Sequence, residues 1–262
     1  KCDLDLTQLG QLLERDTALV AVTWVSNVLG TVNPVGEITM MSHAAGAMTV
    51  LDGAQAMKLP EIDVTAVDCD FLAFSGHKLG ALTGIGVLYG KNNILSQLPP
   101  VRFGGGMIRE SQYAASSYGG VPQRFEAGTP NFVGAISLGC AMEYLQSVGR
   151  IELAQQEQIL TDLLRRELAA IPEVTVIGTP NRPCGVMSFV VPGIHPFDLG
   201  AMLDSQGIAV RTGHLCAQPL VNQLGYDSVI RVSPAFYNTE QEILGFISAL
   251  KRTISLLKGE WT

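Results

Sequence analysis

The chain has 262 residues, of which 47% are hydrophobic and 16% charged, and a formal net charge of −7. No Lys/Arg-dense stripe accompanies this acidity, which excludes a general nucleic-acid binder, and no apolar run approaches the ~18 residues of a membrane span. The first residues, KCDLDLTQLG, are no signal peptide, and five cysteines (Cys2, Cys69, Cys140, Cys184, Cys216) without a CxxC pair argue against zinc or a disulfide framework and for a reducing cytoplasm.

Leu6, Leu9, Leu12 and Leu13 space as one helix face. LVAVTWV (19–25) follows as a strand, MMSHAAGA (40–47) as a short helix, and MTVLD (48–52), DFLAFS (70–75) and GIGVLYG (84–90) as strands. This alternation predicts an α/β fold with a mostly parallel sheet and helices on its faces. A glycine-rich stretch from about residue 99 to 130 reads as loop. FGGG (103–106) within it lacks the Gly-Lys-Ser/Thr ending of a phosphate loop and reads as a turn near a substrate entrance. A long helix over about 134–147 leads to a second unit, and the predicted division is 1–143 and 144–262.

The second unit opens on an amphipathic helix with Ile159, Leu160, Leu163, Leu164 and Leu168 on one face. Short strands are predicted at 174–178, 185–191, 207–212 and 229–233. A last helix starts at Thr239, where Thr-Glu-Gln-Glu reads as a capping box, and its apolar face is Ile243, Ile247, Leu250, Ile254 and Leu257. The pattern is that of a small α+β domain.

In open α/β sheets ligands bind beyond the carboxyl ends of the strands. There the predicted strands deliver Ser26 and Asn27, then Asp52 with Gln55 one turn later, then Ser75, His77 and Lys78. A lysine and a carboxylate on one such rim suit pyridoxal 5'-phosphate, which needs an amine to hold it and a carboxylate to keep its ring nitrogen protonated. The amine must fall from its usual pKa of about 10.4 to react at neutral pH. Ser75 and His77 suit a phosphate. Taken singly, Asp52-Gly53 also reads as a plain turn and Lys78 as a solvated charge.

VSNVLGTVNPV, VLDGAQA, DFLAFSGHKLG, RFEAGTPN, RTGHLCAQPL and IRVSPAFYNT together resemble group II cysteine desulfurases, the Suf/Csd and selenocysteine lyase-like branch of the class V aminotransferases. The resemblance runs over nearly the entire chain in the family's order. It implies the type I pyridoxal-phosphate fold and a homodimer with active sites near the dimer interface.

By that resemblance Lys78 is the lysine that binds the cofactor and then serves as base, with His77 beside it. Asp52 is the partner of the ring nitrogen and Gln55 that of the phenolic oxygen. Ser75 and His77 belong to the phosphate cup, and Thr129 to the cup of the partner subunit. Asn27 and Arg231 match the pair that holds the substrate carboxylate, with Arg211 assisting. Cys216 matches the nucleophile that takes sulfur from L-cysteine and leaves L-alanine, aided by the charge of His214. The implied acceptor is a SufE- or SufU-like protein that passes sulfur to iron–sulfur cluster assembly. A selenocysteine lyase acting on L-selenocysteine is the nearest alternative. An aminotransferase or epimerase needs no thiol at Cys216, and a non-catalytic chain would retain no cofactor. Read from the residues alone, Arg231 is also an ordinary ion-pair partner on a strand, and the other four cysteines read as small buried hydrophobes.

Two local departures stand out. Residues 80–84 read Gly-Ala-Leu-Thr-Gly where the family usually has a Gly-Pro, which predicts a looser loop beside the cofactor. Leu215 replaces a histidine often found directly before the nucleophile and makes that loop more apolar. Chains of the family also begin well upstream of Lys1, with a histidine that stacks on the cofactor ring. These 262 residues alone are therefore not expected to be a working enzyme.

Overall fold

The computed structural model describes residues 2–259. Helix α1 (Leu6–Leu13) is capped by Asp5, whose carboxylate accepts the N–H groups of Thr7 and Gln8. Strand β1 (Leu19–Thr23), helix α2 (Val35–Ala44) and strand β2 (Met48–Asp52) come next. They are followed by α3 (Val64–Val67), β3 (Phe71–Ser75), β4 (Gly86–Gly90) and α4 (Asn92–Leu95). The four strands form one sheet in the order β1-β2-β3-β4, with the first three parallel and β4 antiparallel to β3. Leu51 and Leu72 from its centre pack with Trp24, Val25, Val32, Val35 and Met57 into one core.

The strand expected over 19–25 stops at Thr23, because the chain then turns across the sheet end. Trp24 donates its N–H to the Asp52 carbonyl, and Val25 bridges Val32 instead. The loop-rich stretch contains a small hairpin of β5 (Ile108–Ser111) and β6 (Ser116–Tyr118). Both strands are almost wholly exposed, so no buried face marks them in the sequence.

Helix α5 (Phe132–Val148) buries only Gly134 and Leu138 and leaves Phe132, Val133, Ile136, Met142 and Tyr144 exposed. Gly149, at φ +102°, separates it from α6 (Arg150–Ala169). Strands β7 (Thr175–Ile177) and β8 (Met187–Val190), helix α7 (Pro196–Asp204), strand β9 (Arg211–Gly213), helix α8 (Gln218–Gln223), strand β10 (Val229–Val232) and helix α9 (Glu240–Lys258) complete the chain. Strands β7-β8-β10-β9 make an antiparallel sheet. Its core joins Leu160, Leu164 and Leu168 of α6 to Phe189, Leu199, Leu203, Ile230, Ile247 and Leu250.

The capping box at Thr239 forms as expected, with Glu242 returning to the Thr239 N–H at 2.7 Å. Of the predicted helix faces, Leu12, Ile159 and Leu257 are outside the buried stripe. The strand expected over 207–212 begins only at Arg211. Gly207, at φ +77°, closes α7 through its N–H to Asp204, and Ile208 to Val210 are spent leaving that cap.

The two sheets are stitched together around residues 25–33. Ser188 donates to the Val28 carbonyl at 2.6 Å, Val32 to Arg182 at 2.8 Å, and Cys184 to Gly30 at 2.8 Å. Gly30 sits at φ +67°, and a Cβ there would lie 2.5 Å from the Val186 carbonyl oxygen. Only glycine lets the two backbones approach this closely.

Candidate active site

Because β1, β2 and β3 are parallel neighbours, their carboxyl ends share one rim. Asp52 closes β2 and lies in register with Thr23 of β1 and Ala73 of β3. It is exposed, and its Oδ1 accepts the Ala54 N–H at 2.9 Å. This Asx turn is held shut by Gly53, whose N–H donates to Ala73, and where a Cβ would meet Leu72 at 2.7 Å.

Strand β3 ends on half-buried Ser75, and a single 3-10 turn, Gly76–Leu79, then presents His77 and Lys78 to solvent. Gly76 is buried, and a Cβ on it would lie 2.7 Å from Ile85. The Gly80–Gly84 loop is fastened rather than loosened. Ala81 is buried and donates to Gly76, the Leu82 N–H reaches Ser137 Oγ at 2.9 Å, and Asn131 Nδ2 donates to the Gly84 carbonyl at 3.1 Å. Where the family has proline, α5 supplies the restraint.

Gln55, His77, Lys78 and Arg231 line one cavity of about 850 Å³ between the two sheets. A neighbouring concavity of about 710 Å³ is lined by Arg211, His214, Leu215 and Cys216. Arg231, in the wall of the larger cavity, lies close to the second. It lies in cross-strand register with Arg211, and its guanidinium is within electrostatic reach of Cys216. Burial first, and then the like charge of Arg211, hold Arg231 below its ordinary value. Its Nη1 donates to the Asn27 carbonyl at 3.1 Å, while its Nε is buried and has no partner among the described residues. The ion-pair reading of Arg231 is not what the structure holds, since no carboxylate lies in salt-bridge range of it among the described residues. A half-buried guanidinium with an idle buried donor next to a second arginine is suited to an incoming carboxylate or phosphate.

Asn27 is half-buried, and its amide nitrogen donates to the Leu215 carbonyl. Cys216 is exposed, directly after buried Leu215, and both have positive φ, +60° and +57°. Ser75, Asp52, Asn27 and Thr129 are not in the walls of the two cavities, and Thr129 is exposed in the loop before α5. Among the other cysteines Cys69 is buried and Cys2 and Cys184 are half-buried, but Cys140 on α5 is exposed and faces the larger cavity.

One wall residue had not been expected. Glu157 of α6 is 9% exposed, accepts the Phe236 N–H at 3.3 Å, and lines the same cavity as Lys78. Burial pushes its carboxyl up, against the pull of Lys58 and that hydrogen bond. The available signal was position: Leu153, Glu157, Leu160 and Leu164 share one helical stripe, and a carboxylate among leucines marks a buried polar site. His43 joins a charged cluster with Asp68, Asp70 and Lys91 at the far end of β3.

Known proteins resemble the chain in sequence and in fold. The cysteine desulfurase of Dickeya dadantii is 46% identical over 256 residues, 97% of this chain and 62% of that protein. A cysteine desulfurase of Escherichia coli is 45% identical over 255 residues. Among solved structures, the cysteine desulfurase CsdA of Escherichia coli superposes with a TM-score of 0.92 at 34% identity, covering 96% of this chain and 63% of that one. The apo cysteine desulfurase of Thermococcus onnurineus gives 0.93 at 37% identity, covering 98% and 64%. The chain thus spans rather less than two thirds of the length of these relatives. Its sheet, with helices on its faces and the antiparallel unit behind, is the type I pyridoxal-phosphate fold. The class-V aminotransferase model matches residues 1–246, and the chain belongs to that pyridoxal-phosphate-dependent family.

Proposed function

We propose that the chain carries the lysine and the cysteine of a cysteine desulfurase, which takes sulfur from L-cysteine and releases L-alanine. The observation that supports this best is the cavity shared by Gln55, His77, Lys78 and Arg231, with Cys216 on the adjoining rim within electrostatic reach of Arg231. The residues fit pyridoxal phosphate: an amine and an imidazole at a strand end, a carboxylate on the neighbouring strand, and an idle buried guanidinium donor for a substrate anion.

Pyridoxal phosphate, when bound, supplies the electron sink that makes bonds at the substrate's α- and β-carbons labile. In this proposal Lys78 holds it, Asp52 faces its ring nitrogen, Gln55 its phenolic oxygen, and Ser75 and His77 its phosphate, with Thr129 serving the partner subunit's cup. Arg231, Asn27 and Arg211 bind the substrate carboxylate. Lys78 would take the α proton of the bound substrate and return a proton to the product carbon. The Cys216 thiolate attacks the substrate sulfur. The carbon–sulfur bond breaks, a sulfur–sulfur bond forms, and Cys216 is left as a persulfide, so that cysteine plus thiol balances alanine plus persulfide. Of the thiols here, Cys216 suits this role by its exposed position beside two arginines.

We further propose that the protein acts as a homodimer and hands its sulfur to a SufE- or SufU-like acceptor in the cytoplasm for iron–sulfur cluster assembly. The broad exposed apolar face of α5 supports a contact surface there. Among the described residues no helix is long and apolar enough to cross a membrane. The division at residue 143 would separate the sheet that bears Lys78 from the unit that bears Cys216. Borohydride reduction of the full-length protein with pyridoxal phosphate, followed by peptide mass mapping, tests the assignment. A pyridoxyl group on Lys78 supports it, and a label confined to other lysines overturns it.

A further inference from the structure

We infer that Asn27 is a positioning residue for the Cys216 loop, tying the thiol to the carboxylate-binding arginine through its two amides. The inference rests on the reading of Cys216 as the sulfur acceptor and goes beyond a role for Asn27 in holding substrate. The side-chain Nδ2 of Asn27 donates to the Leu215 carbonyl, while the backbone carbonyl of the same residue accepts Arg231 Nη1 at 3.1 Å. One residue of the turn beyond β1 therefore reaches the cysteine loop with its side chain and β10 with its main chain.

The loop needs such a tie. Gly213, Leu215 and Cys216 have φ of +105°, +57° and +60°, and the left-handed region is costly for the last two. Such a conformation persists only where its surroundings impose it. Two restraints do so here. Leu215 is buried with Val28, Leu29, Ile177, Val221 and Val229, so the two residues after Asn27 grip the Leu215 side chain as Asn27 grips its carbonyl. The Ala217 N–H closes the turn onto the His214 carbonyl at 2.9 Å. Leu215 is thereby the anchor that lets Cys216 stay exposed on a fixed stalk.

The test is hydrogen exchange of the 211–221 peptide, together with the spectrum of a nitroxide attached to Cys216 in a Cys140→Ser background, in the full-length protein. Asn27→Asp keeps the shape and the main-chain contact with Arg231 but cannot donate when ionised; Asn27→Ala removes the side chain. Both are expected to speed exchange in the 211–221 peptide about fivefold, the effect of losing one neutral hydrogen bond, and to narrow the nitroxide lines. Exchange in β8 stays unchanged. Equal loop exchange and linewidth in wild type and in Asn27→Asp overturn the inference. So does acceleration spread evenly over β8, which would make Asn27 merely structural. The label on Lys78 reads the cofactor separately, so the two assignments can fail independently.

Discussion

The strand that delivers Lys78 is pinned at its opposite end by Asp70, and removing that carboxylate is expected to cost about 3 kcal/mol. Asp70 immediately precedes β3 and is 4% exposed. Its Oδ2 accepts from the Thr49 N–H at 2.7 Å, from Thr49 Oγ1 at 3.3 Å and from His43 Nε2 at 2.8 Å, and its Oδ1 lies 3.3 Å from Lys91 Nζ. In Asp70→Ala the buried Thr49 N–H loses its acceptor, a loss of about 1–3 kcal/mol, while Lys91 keeps Asp68 at 2.6 Å. The His43 bond adds to this, which brings the sum to about 3 kcal/mol. Asp70→Asn keeps an acceptor for Thr49 and is expected to lose about half as much, ~1.5 kcal/mol. Urea unfolding at neutral pH, followed by far-UV circular dichroism with a common slope, measures both. Burial raises the Asp70 carboxyl, but His43, the Thr49 amide and Lys91 outweigh it and hold the group below its ordinary 3.8. A depressed folded value stabilises above that pH and is lost as pH falls through the folded value, so the wild type's advantage over Asp70→Asn shrinks on acidification below about pH 4. An Asp70→Ala protein within ~0.5 kcal/mol of wild type refutes the reasoning.

Glu157 has the opposite sign. Burial raises its folded value, so the fold favours the protonated acid and loses stability as pH rises from its ordinary 4.5 through that folded value. Glu157→Gln is expected to raise the urea midpoint at neutral pH and leave it unchanged well below pH 4.5, and a lower midpoint at neutral pH contradicts this. Gly30→Ala puts a Cβ against the Val186 carbonyl at positive φ and is expected to destabilise by at least ~2 kcal/mol, with exchange rising first in residues 25–33. Thr239→Ala removes the cap of α9 and should lose about 1 kcal/mol by the same urea measurement.

Much of this was legible because local rules and tertiary environment agree. MTVLD is five residues with buried Thr49 and Leu51 on one side, FLAFS runs between two other strands, and Thr239 opens α9 with both halves of a capping box. The rim of Asp52, Ser75, His77 and Lys78 follows from parallel neighbours ending together. What escaped has physical causes. The β5–β6 hairpin buries no face, so no alternation announces it. Helix α7 starts at a proline behind His195, which accepts from the Phe197 N–H, and its nine residues hold a single i, i+4 pair of buried leucines, Leu199 and Leu203, too short a stripe to mark a helix. The tie between Asn27 and Leu215 spans 188 positions, and no local pattern encodes it.

The central claim is that Cys216 receives the sulfur. Full-length protein loaded with pyridoxal phosphate, given L-cysteine, trapped with an alkylating agent and mapped by peptide mass tests it most directly. The account predicts a Cys216 peptide heavier by one sulfur atom, alanine formed in step with it, and neither in Cys216→Ser. Alanine formed at the wild-type rate by Cys216→Ser, or the extra sulfur on Cys140 or Cys184 instead, contradicts it.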